Sequence, residues 1–260
     1  MSRFLGDPAL RRLLFAVNNH SVKLHRETNF AHGSPEWLAR RNGKSMGSSE
    51  CAAVFNTIST TVRKSQLEGR WAGLPPDPIS PRLQRILDAG TVMEPELRRE
   101  LASLLGCDIL NYNQLDGEVV YGVEQRSTLD GVAVLMEDEG PMRLAVTEFK
   151  WRATLKNDCG WNCEEDKARH DKLGITVFCQ VQHQMWVSGI PRALVYTGGP
   201  DGSRRLWTVR FSEVFIEQLF KPALKATVED EKGLPSSVAK YNIYQIMSNT
   251  SKQIPLLISK

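Results

Sequence analysis

Two acids and a lysine are spaced for phosphoryl-transfer chemistry. Asp130, Glu148 and Lys150 lie in two strand-like stretches, Ser127–Leu135 and Arg143–Lys150, joined by the acidic turn Glu137–Pro141. Residues two apart on a strand face the same way, so Glu148 and Lys150 share a face. Folding back symmetrically about Glu139 places Asp130 across from Glu148, and cross-strand neighbours have Cβ atoms about 5 Å apart. Two carboxylates at that separation can share a divalent cation. Magnesium takes hard oxygen ligands and keeps several waters, one of which can become a nucleophile. A lysine alongside can steady the attacking water or the charge developing on a phosphate. The expected chemistry is cleavage of a phosphodiester bond. The competing reading is a surface hairpin with a Glu and a Lys on its solvent face, since short motifs also match by accident.

The elements that must position these residues follow from local signals. Asp7-Pro8 starts a helix over 7–18, carrying Leu10, Leu13, Leu14 and Val17 at helical spacing. Ser34-Pro35 starts a second, through Arg41, and Met46–Phe55 reads as a tight turn leading into a small-residue helix. Gly73–Pro81, with four prolines, is the clearest loop. Leu83–Leu105 follows as a helical region broken or bent near Pro95. Strands are expected at Val119–Val123, in the hairpin above, at Ala193–Thr197 and at Leu206–Phe211. Ile175–Ser188 reads as a helix ended by Gly189 and Pro191, and Val214–Val228 as another. Lys156–Lys172 is charged and irregular, a loop directly after the reactive strand. The C-terminal stretch is ambiguous and ends in an apolar tail, Ile254–Ile258. This pattern predicts a mixed α/β (α+β) domain with a central mixed sheet flanked by helices, in one domain over 1–260.

At 260 residues, 41% hydrophobic and 24% charged, the chain has an ordinary globular composition. A net charge of +3 gives mild support to an anionic partner. Five scattered cysteines with no apolar leader point to free thiols in a reducing compartment. Their spacings do not support an iron–sulfur cluster, and no run is long enough to span a membrane.

The segments Gly33–Ser49, Gly90–Arg98, Thr128–Gly131, Glu148–Lys150 and Phe178–Val187, in that order, resemble the phage lambda exonuclease family. These are the YqaJ-like viral recombinase nucleases, or alkaline exonucleases, within the restriction-endonuclease-like PD-(D/E)XK superfamily. The resemblance covers 33–211, with 7–18 and 212–260 as extensions. It implies that Asp130 bridges metal, Glu148 is the second carboxylate and Lys150 is the catalytic lysine. Leu129 stands where the family has proline, which supplies no ligand. Glu94 matches an upstream helical glutamate that helps hold metal, with Glu96 still open beside it. The Phe149 carbonyl is a candidate backbone ligand. Gln180 matches a glutamine that positions the lysine or the substrate phosphate.

Arg41 and Ser48 fall where the family binds a 5′-terminal phosphate, with Arg40 and Ser49 as rivals and Thr128 as a third candidate. A guanidinium can clasp phosphate oxygens, and the Gly47-Ser48-Ser49 turn can present amides and hydroxyls at a helix start. A helix with solvated arginines and a Ser cap is the ordinary alternative. Gln180 and Gln184 share a helix face, and the residues alone favour a solvent stripe there. His183 reads as packed or solvated rather than metal-binding. Arg63, Lys64, Arg98, Arg99, Arg152, Lys156, Arg204 and Arg205 are expected as solvated charges, and Trp37, Trp151 and Trp161 as core or rim.

The implied activity is a magnesium-dependent exonuclease (manganese a possible substitute) degrading one strand of linear duplex DNA 5′→3′. It would leave 3′ overhangs for recombination, with double-stranded DNA ends and a single-strand annealing protein as partners. A homotrimeric ring is implied, without membrane association. The setting is intracellular: bacterial cytoplasm for a phage protein, the nucleus for one from a eukaryotic virus. A structure-specific or nicking endonuclease would use the same residues. A non-catalytic DNA-end-binding module would be expected to lack an acid or the lysine, and Glu94, Asp130, Glu148 and Lys150 are all present.

Overall fold

The computed structural model describes residues 23–24, 28, 34–41, 43–55, 64–75, 77–112, 114–135, 143–151, 173–200, 202–230 and 236–254. The expected helix over 7–18, the turn at Glu139, the loop from Lys156 to Lys172 and the tail beyond Ile254 lie outside them. So do Arg63, Arg152 and Trp161.

Two sheets share the chain. The larger has six strands: β2 (Ile109–Leu110), β5 (Gly131–Leu135), β6 (Arg143–Trp151), β7 (Arg192–Gly198), β8 (Arg204–Arg210) and β9 (Ser251–Ile254), adjacent in that order. Only β6 and β7 run parallel. A parallel pair needs a crossover, and α4 (Ile175–Ser188) lies between these strands in the chain. Its end is set by Gly189 at φ 72, a left-handed cap that a side chain would disfavour. The smaller sheet joins β1 (Ser45–Gly47), β4 (Val123–Thr128) and β3 (Gln114–Val120). The expected mixed sheet with flanking helices is therefore present.

Alternation along β6 sorts its side chains onto two faces. Leu144 and Val146 join the main core with Val177, Phe178 and Val181 of α4. Ala145 and Phe149 join a second core with Leu97 and Leu101 of α3 (Pro81–Leu105). Glu148 continues the first series and so lies on the side covered by α4. The main core also takes the π-helical turn Phe215–Phe220, which leads into α5 (Lys221–Val228), and part of α6 (Ser236–Thr250). Phe178 meets Phe215 edge-on at 5.6 Å between ring centroids.

Several expectations change. α3 is not broken at Pro95: it runs through as 25 residues, capped by the Ser80 hydroxyl, which accepts from Leu83 N–H. Leu97 and Leu101, both fully buried, pin the turns beyond the proline, which offsets its missing donor. Val119–Val123 is not a strand but a hairpin tip, with Tyr121 and Gly122 both at positive φ (50 and 74) between β3 and β4. Ser127–Leu135 is two strands rather than one. β4 ends at Thr128 in the smaller sheet and β5 begins at Gly131 in the larger, so Asp130 sits at the crossing. β9, paired with β8 at the sheet edge, ends at Ile254, the first residue of the apolar tail.

Candidate functional site

A cleft of about 410 Å³ opens where the two sheets diverge, and it takes lining residues from β1, β4, β6, α3 and α4. One wall is acidic. The hairpin register pairs Gly131 with Thr147 and Val132 with Val146, which continues one step to Asp130 opposite Glu148. This is the symmetric fold-back about residue 139 that the sequence predicts. The carboxylate of Asp130 is held by the β6 backbone, accepting from Phe149 N–H at 2.8 Å. The next residue must be glycine for that crossing to close. A Cβ on Gly131 would lie 2.6 Å from Ile109 Cγ2 and 2.7 Å from Thr147 Oγ1.

Glu148 is buried, and both its oxygens are occupied. Oε1 accepts from Gln180 Nε2 at 2.7 Å and pairs with the Lys150 ammonium; Oε2 accepts from Gln184 Nε2 at 2.6 Å. The two glutamines are therefore not a solvent stripe. Gln184 is fully buried, because the face of α4 that carries them packs on the Glu148 side of β6. Burial, then the nearby charge of Glu148, holds the Asp130 carboxyl well above the usual carboxylate range; Lys150 opposes that shift.

Glu94 approaches from α3, which covers the opposite face of the sheet, and its carboxylate is 3.0 Å from Arg98 Nη2. Among the described residues no three acid, histidine or cysteine side chains sit close enough to form a ready ion cage. What the wall offers is two opposed carboxylates, with a third near enough to raise Asp130 electrostatically. That oxygen-only set suits magnesium, which completes its shell with water. The residues fit such an ion, with Asp130 and Glu148 as the core ligands and Glu94 as an outlying one.

The other wall is hydroxyl-rich and neutral on balance, the one arginine there, Arg126, being ion-paired with Asp116 and Glu124 among the described residues. Ser48 opens a 3-10 helix (Ser48–Phe55), and its hydroxyl is 2.8 Å from His183 Nδ1 and 2.9 Å from Ser127 Oγ. The proton positions follow from the partners. Gln125 Nε2 donates to the Val123 carbonyl, so its Oε1 faces His183 Nε2 at 3.0 Å and must receive an N–H. Nδ1 is then the acceptor, and Ser48 donates to it. Burial pushes the His183 imidazole down to about 3, so it stays neutral. The packed reading of His183 holds.

This geometry bears on the phosphate candidates. The hydroxyl proton of Ser48 is committed to His183, whereas Ser49 is exposed on the same cleft wall. Thr128 also lines the cleft. Arg40 donates to Asp116 Oδ2 at 2.6 Å. Arg41 is the last residue of α1 (Pro35–Arg41), and its side chain lies outside the described residues. The turn itself is braced: Gly47 N–H donates to Glu50 Oε2, and Arg70, on α2 (Lys64–Trp71), grips both oxygens of that carboxylate at 2.7 and 2.9 Å.

Sequence reasoning undervalued Gln184, Arg98 and Trp37, and passed over Arg126; all but Gln184 line the cleft. The signal for two of them was legible as i,i+4 pairs, Gln180 with Gln184 and Glu94 with Arg98. Arg99 and Arg204 do not reach the cleft. Arg204 pairs with Glu100 at 2.6 Å and lies over the Trp151 ring.

No family model and no curated protein matches the sequence. Solved structures do match. The alkaline exonuclease LHK-Exo from Laribacter hongkongensis superposes with a TM-score of 0.54 at 16% identity, over 83% of this chain and 97% of that one. LHK-Exo in complex with dAMP gives 0.55 at 16% identity, with the same coverage. A phage-related exonuclease from Haemophilus somnus 129PT gives 0.45 at 10% identity, over 79% of this chain and 96% of that one. The chain shares the LHK-Exo fold. No helix among the described residues is long and apolar enough to cross a membrane.

Proposed function

We propose that this chain is a magnesium-dependent deoxyribonuclease that degrades one strand of linear duplex DNA from its 5′ end. The observation that carries the reading is Asp130 set opposite Glu148, with Lys150 beside it, at the mouth of a cleft in an exonuclease-like fold. A bound divalent cation would supply Lewis-acid activation of water and charge neutralisation at the phosphate. Asp130 and Glu148 hold it, with Glu94 and the Phe149 carbonyl as further oxygen donors; manganese would substitute. Phe149 N–H fixes the Asp130 rotamer. Gln180 and Gln184 fix that of Glu148, so the carboxylates are oriented before anything binds. Lys150 supplies positive charge where the phosphate gains negative charge.

The neutral wall takes the terminal 5′-phosphate, with Ser49 or Ser48, Thr128 and Arg41 or Arg40 as its contacts. A dAMP complex of LHK-Exo is in keeping with a nucleotide-sized cleft. Ring assembly as a trimer, delivery of 3′ overhangs to a single-strand annealing protein, and action inside a phage-infected or virus-infected cell complete the proposal.

The test is 5′-phosphorylated linear duplex incubated with purified protein, in magnesium or in chelator. Asp130→Ala and Lys150→Ala should each lower cutting by about 100- to 1000-fold while circular dichroism stays unchanged. Near-normal activity in either variant would remove these residues from the reaction. Cutting of covalently closed circular duplex would turn the assignment to an endonuclease, because an exonuclease needs an end.

A further inference from the structure

Arg98 is a cleft-lining cation that the proposed reaction leaves unused. It lines the cleft from α3, with Nη2 on Glu94 at 3.0 Å and Nη1 donating to the Asn111 side-chain oxygen. Its guanidinium carbon lies 5.5 Å from the centroid of the Phe149 ring, and a Cβ on Gly131 would come within 3.1 Å of Nη1. The group is thus seated over the same junction that holds Asp130. Asn111, the Phe149 ring and the missing side chain of Gly131 form the seat. The pair with Glu94 is a half-exposed i,i+4 contact, a weak class of interaction that is readily exchanged.

The two sides of the acidic wall are built alike. Lys150 neutralises Glu148, and Arg98 neutralises Glu94. A divalent cation that draws on those carboxylates competes with both side chains for their charge. Two positive groups then lose carboxylate charge compensation as further positive charge arrives. A phosphate restores the balance, and the planar guanidinium fork suits its oxygens in a way an ammonium does not.

We propose that Arg98 is a phosphate-binding residue held in reserve by Glu94, and that cation binding releases it to the phosphate of the substrate. Cation and phosphate therefore bind with positive coupling, equal in both directions. This rests on the nuclease reading, and the test separates the two.

Isothermal calorimetry on the full chain gives the Mg2+ affinity with and without dAMP. In the parent, dAMP should tighten Mg2+ binding by about 5-fold or more. Arg98→Met should bind Mg2+ alone at least as tightly as the parent, with the dAMP effect reduced towards unity; Arg98→Lys should restore part of it. Glu94→Gln frees Arg98 without a cation, so dAMP binding in chelator should strengthen relative to the parent. Full coupling in Arg98→Met, or unchanged dAMP binding in Glu94→Gln, overturns the inference. So does loss of Mg2+ binding in Arg98→Met, which would make the arginine a structural brace. Failure of the parent itself to bind Mg2+ overturns the nuclease reading instead.

Discussion

The two walls of the cleft differ in how far they are resolved without a ligand. On the neutral wall, Val123, Gln125, His183, Ser48 and Ser127 form a closed chain in which each donor has an acceptor. On the acidic wall, Asp130 faces Glu148 across one strand pairing and is pushed towards its protonated form. Glu148 takes its charge balance from Lys150, and Glu94 from Arg98. The electrostatic cost is thus concentrated at the acidic wall. Buried polar networks rigidify when satisfied and cost stability when they are not. In the proposed reaction the acidic wall carries the chemistry, and the neutral wall is the already satisfied side that receives the 5′-phosphate.

That contrast can be broken by experiment. Among supporting residues outside the proposed ligands and lysine, the largest effect on turnover should come from Gln184→Leu, which roughly keeps side-chain volume and deletes one of the three donors to Glu148. Loss of such a supporting hydrogen bond costs about 10- to 100-fold in metal affinity or activity, read by nuclease assay and calorimetry with little change in melting temperature. A large melting shift with unchanged activity would make Gln184 part of the framework. His183→Phe should do the reverse. Leaving Ser48 and Gln125 unpaired should cost about 1–3 kcal/mol of stability, seen as a lower denaturant midpoint, while activity per folded molecule falls less than in Gln184→Leu. A larger activity loss would move His183 into the chemistry.

The smallest effects concern pH, and the two walls should give opposite signs. The folded state binds the Asp130 proton more tightly than the unfolded chain does. In chelator, stability is therefore lost as pH rises from the ordinary aspartate value through the raised one. Asp130→Asn removes that loss, so its melting advantage over the parent should widen with pH. His183 stays neutral down to about 3, whereas the unfolded chain takes up a proton below about 6.5. Its contribution is present above that value and is lost as pH falls through the interval. His183→Phe should flatten the acid limb only. Parallel melting curves for parent and variants would remove both attributions.

The legible parts of the sequence were those governed by local symmetry. The register of Asp130 against Glu148 follows from the symmetric spacing about residue 139 and the two-residue period of a strand, and the observed pairing of β5 with β6 keeps it. The helix over Ile175–Ser188 carries a glycine stop at its end, and the structure keeps those bounds. What stayed hidden depends on what lies across from a residue. Gln180 and Gln184 read as solvent-facing because nothing in the sequence of α4 announces a buried carboxylate opposite them. The break at Leu129-Asp130 was missed because a single strand was read across Ser127–Leu135, although Asp130-Gly131 is a turn-type dipeptide. Tyr121 concealed a hairpin tip, since non-glycine residues seldom take positive φ. The three-acid convergence implied by resemblance stops short, because Glu94 is delivered by a helix from the far face.

One consequence of the sheet crossing is mechanical. Only Leu129 and Asp130 separate β4 from β5, so the aspartate of the proposed site is also a joint between the two sheet plates. Tilting of the smaller plate would be transmitted to that carboxylate before it reached any other part of the acidic wall. The amide of Phe149 acts as a guy-line against such movement, and an occupant wedged between the plates would pull directly on it.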